Sequence, residues 1–159
     1  MTDIEVREAG PDDADYITAT LRKEWRDTVM AAHGELIDAQ ALPALIAWSD
    51  GERVGCLNYR MAGASCEAVS LIATVPGIGA GTALLRAIRS RAAEQGLDRL
   101  WLIATNDNTD ALAFYQRFGF DLVELRHDAV RAARELKPSI PLRANGIPIR
   151  HELVLELTP

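Results

Sequence analysis

The run Val75-Pro76-Gly77-Ile78-Gly79-Ala80-Gly81-Thr82-Ala83-Leu84-Leu85 constrains the fold more than any other stretch of the chain. It follows the apolar segment Ala68-Val69-Ser70-Leu71-Ile72-Ala73 and opens an amphipathic one, so it reads as strand, glycine loop, helix. The glycines leave no Cβ between the backbone and a ligand. Such a loop presents free N–H groups at the positive end of a helix dipole, a cradle for a phosphate or pyrophosphate. A helix leaving a sheet in this way needs a further strand to return to. Leu100-Trp101-Leu102-Ile103-Ala104 supplies it, apolar on both alternating faces like a strand covered on both sides.

The remaining elements follow from pattern. Ile4-Glu5-Val6-Arg7 alternates as a first strand. Pro11-Asp12-Asp13 opens a helix whose Ala14, Ile17, Leu21 and Trp25 share a face. Thr28 to Gln40 reads as a second, less regular helical region. Asp50-Gly51 joins the strands Ala44–Trp48 and Val54–Tyr59 in a hairpin, and Ala62–Ser65 turns into the strand Cys66–Thr74. Leu84, Leu85, Ile88 and Ala92 form one face of the helix after the loop, which stops at Gln95-Gly96. Asp107-Asn108 caps a helix carrying Ala111, Phe114, Tyr115 and Phe118, and Gly119-Phe120 ends it. A strand from Phe120 to Leu125, a helix from Asp128 to Lys137, a proline-containing loop to Pro148 and a last strand, Arg150–Leu157, complete the order β-α-α-β-β-β-α-β-α-β-α-β. The class is α/β with an α+β-like mixed sheet, in one domain spanning residues 1–159. A chain ending in a strand can form a homodimer through that edge.

The 159 residues carry a net charge of −6, which argues against nucleic acid as a partner. No apolar run reaches membrane-spanning length, so no membrane partner is expected. The start, Met1-Thr2-Asp3-Ile4-Glu5, lacks the pattern of a secretory signal, and the expected location is cytoplasmic. Cys56 and Cys66 have no metal or disulfide spacing, and no metal is expected. His33 and His127 show no partner in the sequence.

Two phosphate-binding motifs compete for the loop. Gly81-Thr82-Ala83 lacks the lysine that a nucleoside triphosphate loop needs. Gly77-Ile78-Gly79-Ala80-Gly81 lacks dinucleotide spacing, and its strand follows hairpins rather than opening the sheet. A second signature accompanies the loop. Asn108 opens a helix, Ala111 follows three residues on, Tyr115 seven residues on, and Gly119-Phe120 closes it.

Together these motifs resemble the GNAT superfamily of acyl-CoA-dependent N-acyltransferases, over about Ile4 to Leu125. The family loop is Gln/Arg-x-x-Gly-x-Gly/Ala. Gly79 and Gly81 match its glycines, and Pro76 replaces the usual Gln or Arg. The tail around Arg134–Pro141 and Asn145–Arg150 resembles a bacterial-type subgroup with no assigned substrate. The resemblance implies a single domain with a central mixed, splayed sheet flanked by helices. It implies acetyl-CoA as co-substrate, its pyrophosphate on Gly77, Ile78, Gly79, Ala80, Gly81 and Thr82. Its pantetheine would bond the backbone of Leu71, Ile72 and Ala73, with Asn108 and Tyr115 beside it. Tyr115 would protonate the departing thiolate. Glu67, at the start of the same strand, is the candidate base, directly or through water, with His151 as the other option near neutral pH. The acceptor would be a primary amine of a small molecule or peptide, acetylated by direct transfer in a ternary complex. A non-catalytic acyl-CoA-binding module on the same fold is the alternative.

Overall fold

A computed structural model describes residues 3–159; Met1 and Thr2, part of the sequence read for a signal, lie outside the described residues. In chain order the elements are β1 (Glu5–Glu8), α1 (Ala14–Trp25), β2 (Val29–Ala32), β3 (Glu35–Asp38), β4 (Ala44–Ser49), β5 (Glu52–Ala62), β6 (Ser65–Ala73) and α2 (Ala80–Glu94). They continue with β7 (Arg99–Thr105), α3 (Thr109–Phe118), β8 (Asp121–Arg126), α4 (Ala129–Leu136), β9 (Arg143–Ala144), β10 (Ile147–Pro148) and β11 (Glu152–Leu157). The class is mixed α/β, as expected. The elements fall into two compact units. The first holds residues up to Val29, Asp38–Leu100 and Pro159; the second holds Met30–Ile37 and Trp101–Thr158.

In the first unit β1, β4, β5 and β6 pair in that order, all antiparallel. The β4–β5 hairpin turns on Asp50 (φ 50°) and Gly51 (φ 76°), the two left-handed residues that a tight hairpin of this twist requires. A short 3-10 turn, Pro11–Asp13, leads into α1. Asp13 anchors it, accepting from the Gly10 N–H at 2.8 Å and from Arg53 Nε at 2.8 Å. Burial opposes ionisation of this carboxyl, but the Gly10 N–H and the Arg53 guanidinium outweigh it and hold the group below the usual carboxylate range. Leu84, Leu85, Ile88 and Ala92 are fully buried, so α2 turns inward the face that its spacing marks.

Alternate residues of a strand point to opposite faces. On β5, Tyr59 faces α2, where Arg91 Nη1 donates to its hydroxyl at 3.1 Å. Asn58 and Arg60 therefore face the other way. Asn58 pairs with Ser70, and Trp25 of α1 donates to the Ser70 hydroxyl at 3.2 Å on that side. A register shift between Asn58 and Tyr59 restores the match with β6, so that Arg60 pairs with Glu67.

In the second unit β7, β11 and β8 lie in that order, with α3 and α4. Two sequence expectations fail here. Thr28–Gln40 is not helical: β2 and β3 form a hairpin about His33 (φ 57°) and Gly34 (φ 73°), closed at its root by the Ala39 N–H on the Thr28 carbonyl at 3.0 Å. The alanines and long side chains of the stretch suit a helix, but the His33-Gly34 turn decides the conformation. The last strand is also not an edge. β11 sits between β7 and β8, and β8 is the edge that exposes Leu122, Val123 and Leu125. A smaller departure concerns β7, where Leu100, Leu102 and Ala104 are buried but Arg99, Trp101 and Ile103 are only half-buried. Asn145 (φ 52°) and Gly146 (φ 72°) turn the short hairpin β9–β10 inside the segment expected to be loop.

Candidate active site

The glycine loop has the backbone that anion binding needs. Gly77 (φ 81°) and Gly79 (φ 88°) are left-handed, and Gly79 is the N-cap of α2. Nothing lies within 4 Å of where a Cβ would stand on either glycine, so the space beside the loop at both positions is open. The first helical bond runs from the Ala83 N–H to the Gly79 carbonyl at 3.0 Å. The N–H groups of Ala80, Gly81 and Thr82 precede it and have no partner within the helix. Three oriented N–H groups at a dipole end fit a diphosphate. Pro76 contributes no N–H to the approach.

Strand β6 leads into this loop and carries the other first-unit candidates. Leu71, Ile72 and Ala73 pair with Leu57, Cys56 and Gly55. Gly55 is a residue whose role the sequence does not show. A Cβ on it would lie 2.9 Å from the Ile72 carbonyl oxygen and 3.2 Å from Leu84 Cδ1. Glycine therefore lets β5 and α2 close on β6 at Ile72. Glu67 is buried and ion-paired, accepting from Arg60 Nε at 2.8 Å. On the same face lie Ser70 and Asn58. Asn58 is fully buried and donates from Nδ2 to the Ala39 carbonyl at 3.0 Å, while its Oδ1 has no partner. Only the register shows that these polar groups share one face, so Asn58 and Ser70 could not be picked out from the sequence pattern.

The two cysteines flank this region as inert core. Burial pushes the Cys56 thiol up to about 12, and burial with the Glu67 charge pushes Cys66 up to about 11. Neither supplies a thiolate near neutral pH.

The second unit holds Asn108 and Tyr115 on α3. Asn108 is the N-cap, its Oδ1 accepting from the Ala111 N–H at 3.3 Å. That bond gives the Asn–x–x–Ala spacing its physical reason. Gly119 (φ 126°) ends the helix where a side chain would be strained, and the buried Phe120 then turns back on Tyr115, ring centroids 5.8 Å apart. Burial pushes the Tyr115 phenol up to about 12, so it is a proton donor and not a phenolate at neutral pH.

The histidines differ from the sequence expectation. His33 has partners: Arg126 Nη1 lies 2.7 Å from its Nδ1, and its ring meets Trp101 edge-on at 5.0 Å. His127 lies against His151, ring centroids 4.8 Å apart. The Asp128 N–H donates to His151 Nδ1 at 2.8 Å, which assigns the proton of the neutral ring to Nε2. The basic nitrogen of His151 is thus occupied, and base work would cost that bond. Asn106 anchors the same strand end, accepting the N–H groups of Arg150 and His151 at 2.9 Å each.

The loop geometry and the Asn108–Tyr115–Gly119-Phe120 unit now stand beside comparison with known proteins. The model of the acetyltransferase (GNAT) family matches residues 12–120. This chain belongs to the GNAT acetyltransferase family. An uncharacterized protein of Bacillus subtilis (strain 168), YdhI, is 37% identical over 140 residues, covering 87% of this chain and 88% of that protein. A GNAT family acetyltransferase from Elizabethkingia anophelis, solved with acetyl-CoA bound, has a TM-score of 0.70 at 17% identity and covers 98% of each chain. Arabidopsis thaliana Naa50, solved with the bisubstrate analogue CoA-Ac-MVNAL, has a TM-score of 0.69 at 18% identity, covering 98% of this chain and 99% of that one. The GNAT chain is thus an acetyltransferase by family and fold, with acyl transfer as its general chemistry.

Proposed function

We propose that this GNAT chain moves the acetyl group of acetyl-CoA to a primary amine of a small molecule or peptide, by direct attack in a ternary complex. The observation that carries the reading is the continuity of β6 with the glycine loop. One segment ends in a diphosphate cradle and carries at its start a buried carboxylate, Glu67. The N–H groups of Gly77 to Thr82, without Pro76, hold the pyrophosphate. The backbone of Leu71, Ile72 and Ala73 holds the pantetheine; in the second unit, Asn108 and Tyr115 are the proposed cofactor-binding residues. An N–H near Ile72 stabilises the oxyanion as the amine nitrogen attacks the thioester carbonyl.

The nitrogen–carbon bond forms, the carbon–sulfur bond breaks, and the amine proton leaves. Glu67 is five residues from Ile72, about 16 Å along an extended strand, so it acts through water rather than by direct contact. Tyr115, protonated at neutral pH, donates to the departing sulfur. Neither Cys56 nor Cys66 serves as a nucleophile for a covalent intermediate, since both thiols are held protonated.

Calorimetry with acetyl-CoA, then thiol release over an amine panel, tests the reading. Release with at least one amine supports it; tight binding with no transfer to any amine favours the binding-module alternative. Pro76, a departure at the loop entrance, is the feature that favours that alternative. We place the reaction in the cytoplasm, with the whole chain as one catalytic domain. The homodimer expectation moves from the last strand to the β8 edge, and light scattering at micromolar concentration tests it.

A further inference from the structure

We infer that Tyr16 of α1 is a positioning residue for coenzyme A: its hydroxyl holds Thr74, and through it the entrance of the glycine loop, in the shape that receives the pyrophosphate. This rests on the acetyl-transfer reading above and adds to it a residue outside the loop.

Packing does little to fix the shape of this loop. Residues 73–77 are all exposed, and nothing lies within 4 Å of the Cβ positions of Gly77 and Gly79. The far end is secured by α2, where Ala80 is buried and the Ala83 N–H bonds the Gly79 carbonyl. The near end starts at Thr74. Its N–H donates to the Val54 carbonyl of β5 at 2.9 Å, and its Oγ1 lies 2.9 Å from the Tyr16 hydroxyl oxygen. The two bonds grip one residue from the sheet and from a helix residue 58 positions away in sequence. Val75 and Pro76 follow. A proline fixes its own φ and confines the residue before it, so these two carry the placement of Thr74 forward to Gly77.

Tyr16 is itself held independently of the loop. Thr20, one helical turn further on, also hydrogen-bonds its hydroxyl. The Arg53 guanidinium lies over its ring, 5.9 Å from the centroid, and is fixed in turn on Asp13 at 2.8 Å. Burial raises the phenol above its ordinary range, so the group stays an O–H at neutral pH.

Pro76 makes this support matter. Where the resembling loops carry Gln or Arg, this chain has neither an N–H nor a side-chain donor. Affinity for the pyrophosphate then depends on presenting the N–H groups of residues 77–82 already oriented. A loop that must be ordered on binding gives up part of the binding free energy.

Calorimetry with coenzyme A on the wild type and four variants tests this. Tyr16→Phe keeps the ring and removes the hydroxyl. Thr74→Val removes the same bond from an exposed position, where no core is disturbed. Each is expected to bind coenzyme A about three- to tenfold more weakly than the wild type. The double variant is expected to match Tyr16→Phe, since both lack the same bond. Thr74→Ser keeps the hydroxyl and is expected to bind as the wild type does. If Tyr16 merely packs α1, Tyr16→Phe lowers the urea midpoint and neither single variant changes the affinity; that result overturns the inference. So do additive losses in the double variant, or a Thr74→Ser protein as weak as Thr74→Val. Absence of coenzyme A binding in the wild type would instead overturn the acetyl-transfer reading, and the inference with it.

Discussion

Gly55 shows how one backbone position governs the candidate site. Its hydrogen faces the Ile72 carbonyl where a Cβ would lie at 2.9 Å, and the obstacle is backbone rather than the end of a flexible side chain. Gly55→Ala is expected to cost about 1–3 kcal/mol through overpacking, read as a lower urea midpoint. It should also weaken acetyl-CoA binding, because the displaced segment is Ile72 and Ala73. Unchanged affinity would mean that these residues do not hold the pantetheine. Tyr115 offers a second residue-scale prediction. Tyr115→Phe keeps the ring contacts with Phe114 and Phe120 and loses the hydroxyl. Turnover should fall about 10- to 100-fold with acetyl-CoA affinity nearly intact. With the phenol raised to about 12, the donor stays protonated, so its ionisation gives no alkaline fall in kcat below about pH 10. A fall near pH 8 that disappears in Tyr115→Phe would assign that ionisation to the phenol and contradict its upward shift. Neither residue's environment is written in the sequence. Tyr115 was visible as part of a spacing pattern, but Gly55 was one glycine among eleven.

At the scale of elements, the glycine loop and α2 form the part most fully legible beforehand. Glycines at 77, 79 and 81, followed by an apolar stripe at helical spacing, fix the loop and the helix together because both are local features. Gly79 adopts φ 88° with open space around its Cβ position, so a substitution there acts by straining the backbone and intruding on the ligand, not by colliding with the protein. Gly79→Val is expected to weaken acetyl-CoA binding by about tenfold or more while lowering the melting temperature only modestly, since α2 keeps its buried face. Preserved tight binding, measured by calorimetry, would move the pyrophosphate elsewhere. The β2–β3 hairpin is the contrary case. Ala31, Ala32, Glu35 and Leu36 read locally as helix, but His33 and Gly34 take up left-handed turns and Thr28 and Ala39 clasp the ends. That clasp joins residues eleven apart and has no local signature. The position of β11 between β7 and β8 was hidden for the same reason, since strand order depends on pairing between distant segments.

Across the whole molecule, buried thiols and phenols set an alkaline limit. Cys56 rises from 9.0 to about 12, Cys66 from 9.0 to about 11, and Tyr115 from 10.0 to about 12. The unfolded chain loses these protons first, so above pH 9 the folded state holds more protons than the unfolded one. Stability is therefore fully present below about pH 9 and falls as pH rises towards 12, by about 1.4 kcal/mol per pH unit for each group in its window. Thermal melts between pH 8 and 11 should show a decreasing Tm, with a smaller decrease in Cys56→Ala; a flat profile would contradict the burial of these groups. The sequence by itself determined the loop, the helices around the Asn108–Tyr115–Gly119-Phe120 pattern and, through them, the family, because those signals are short-range spacings with local physical causes. The tertiary structure alone decided which polar residues meet. The register shift opposite Asn58 and Tyr59, which leaves Val69 of β6 unmatched, puts the buried Asn58, Ser70 and Glu67 on one face with Arg60. A one-residue shift in register would have turned half of them away, and register is a property of the sheet, not of any strand within it.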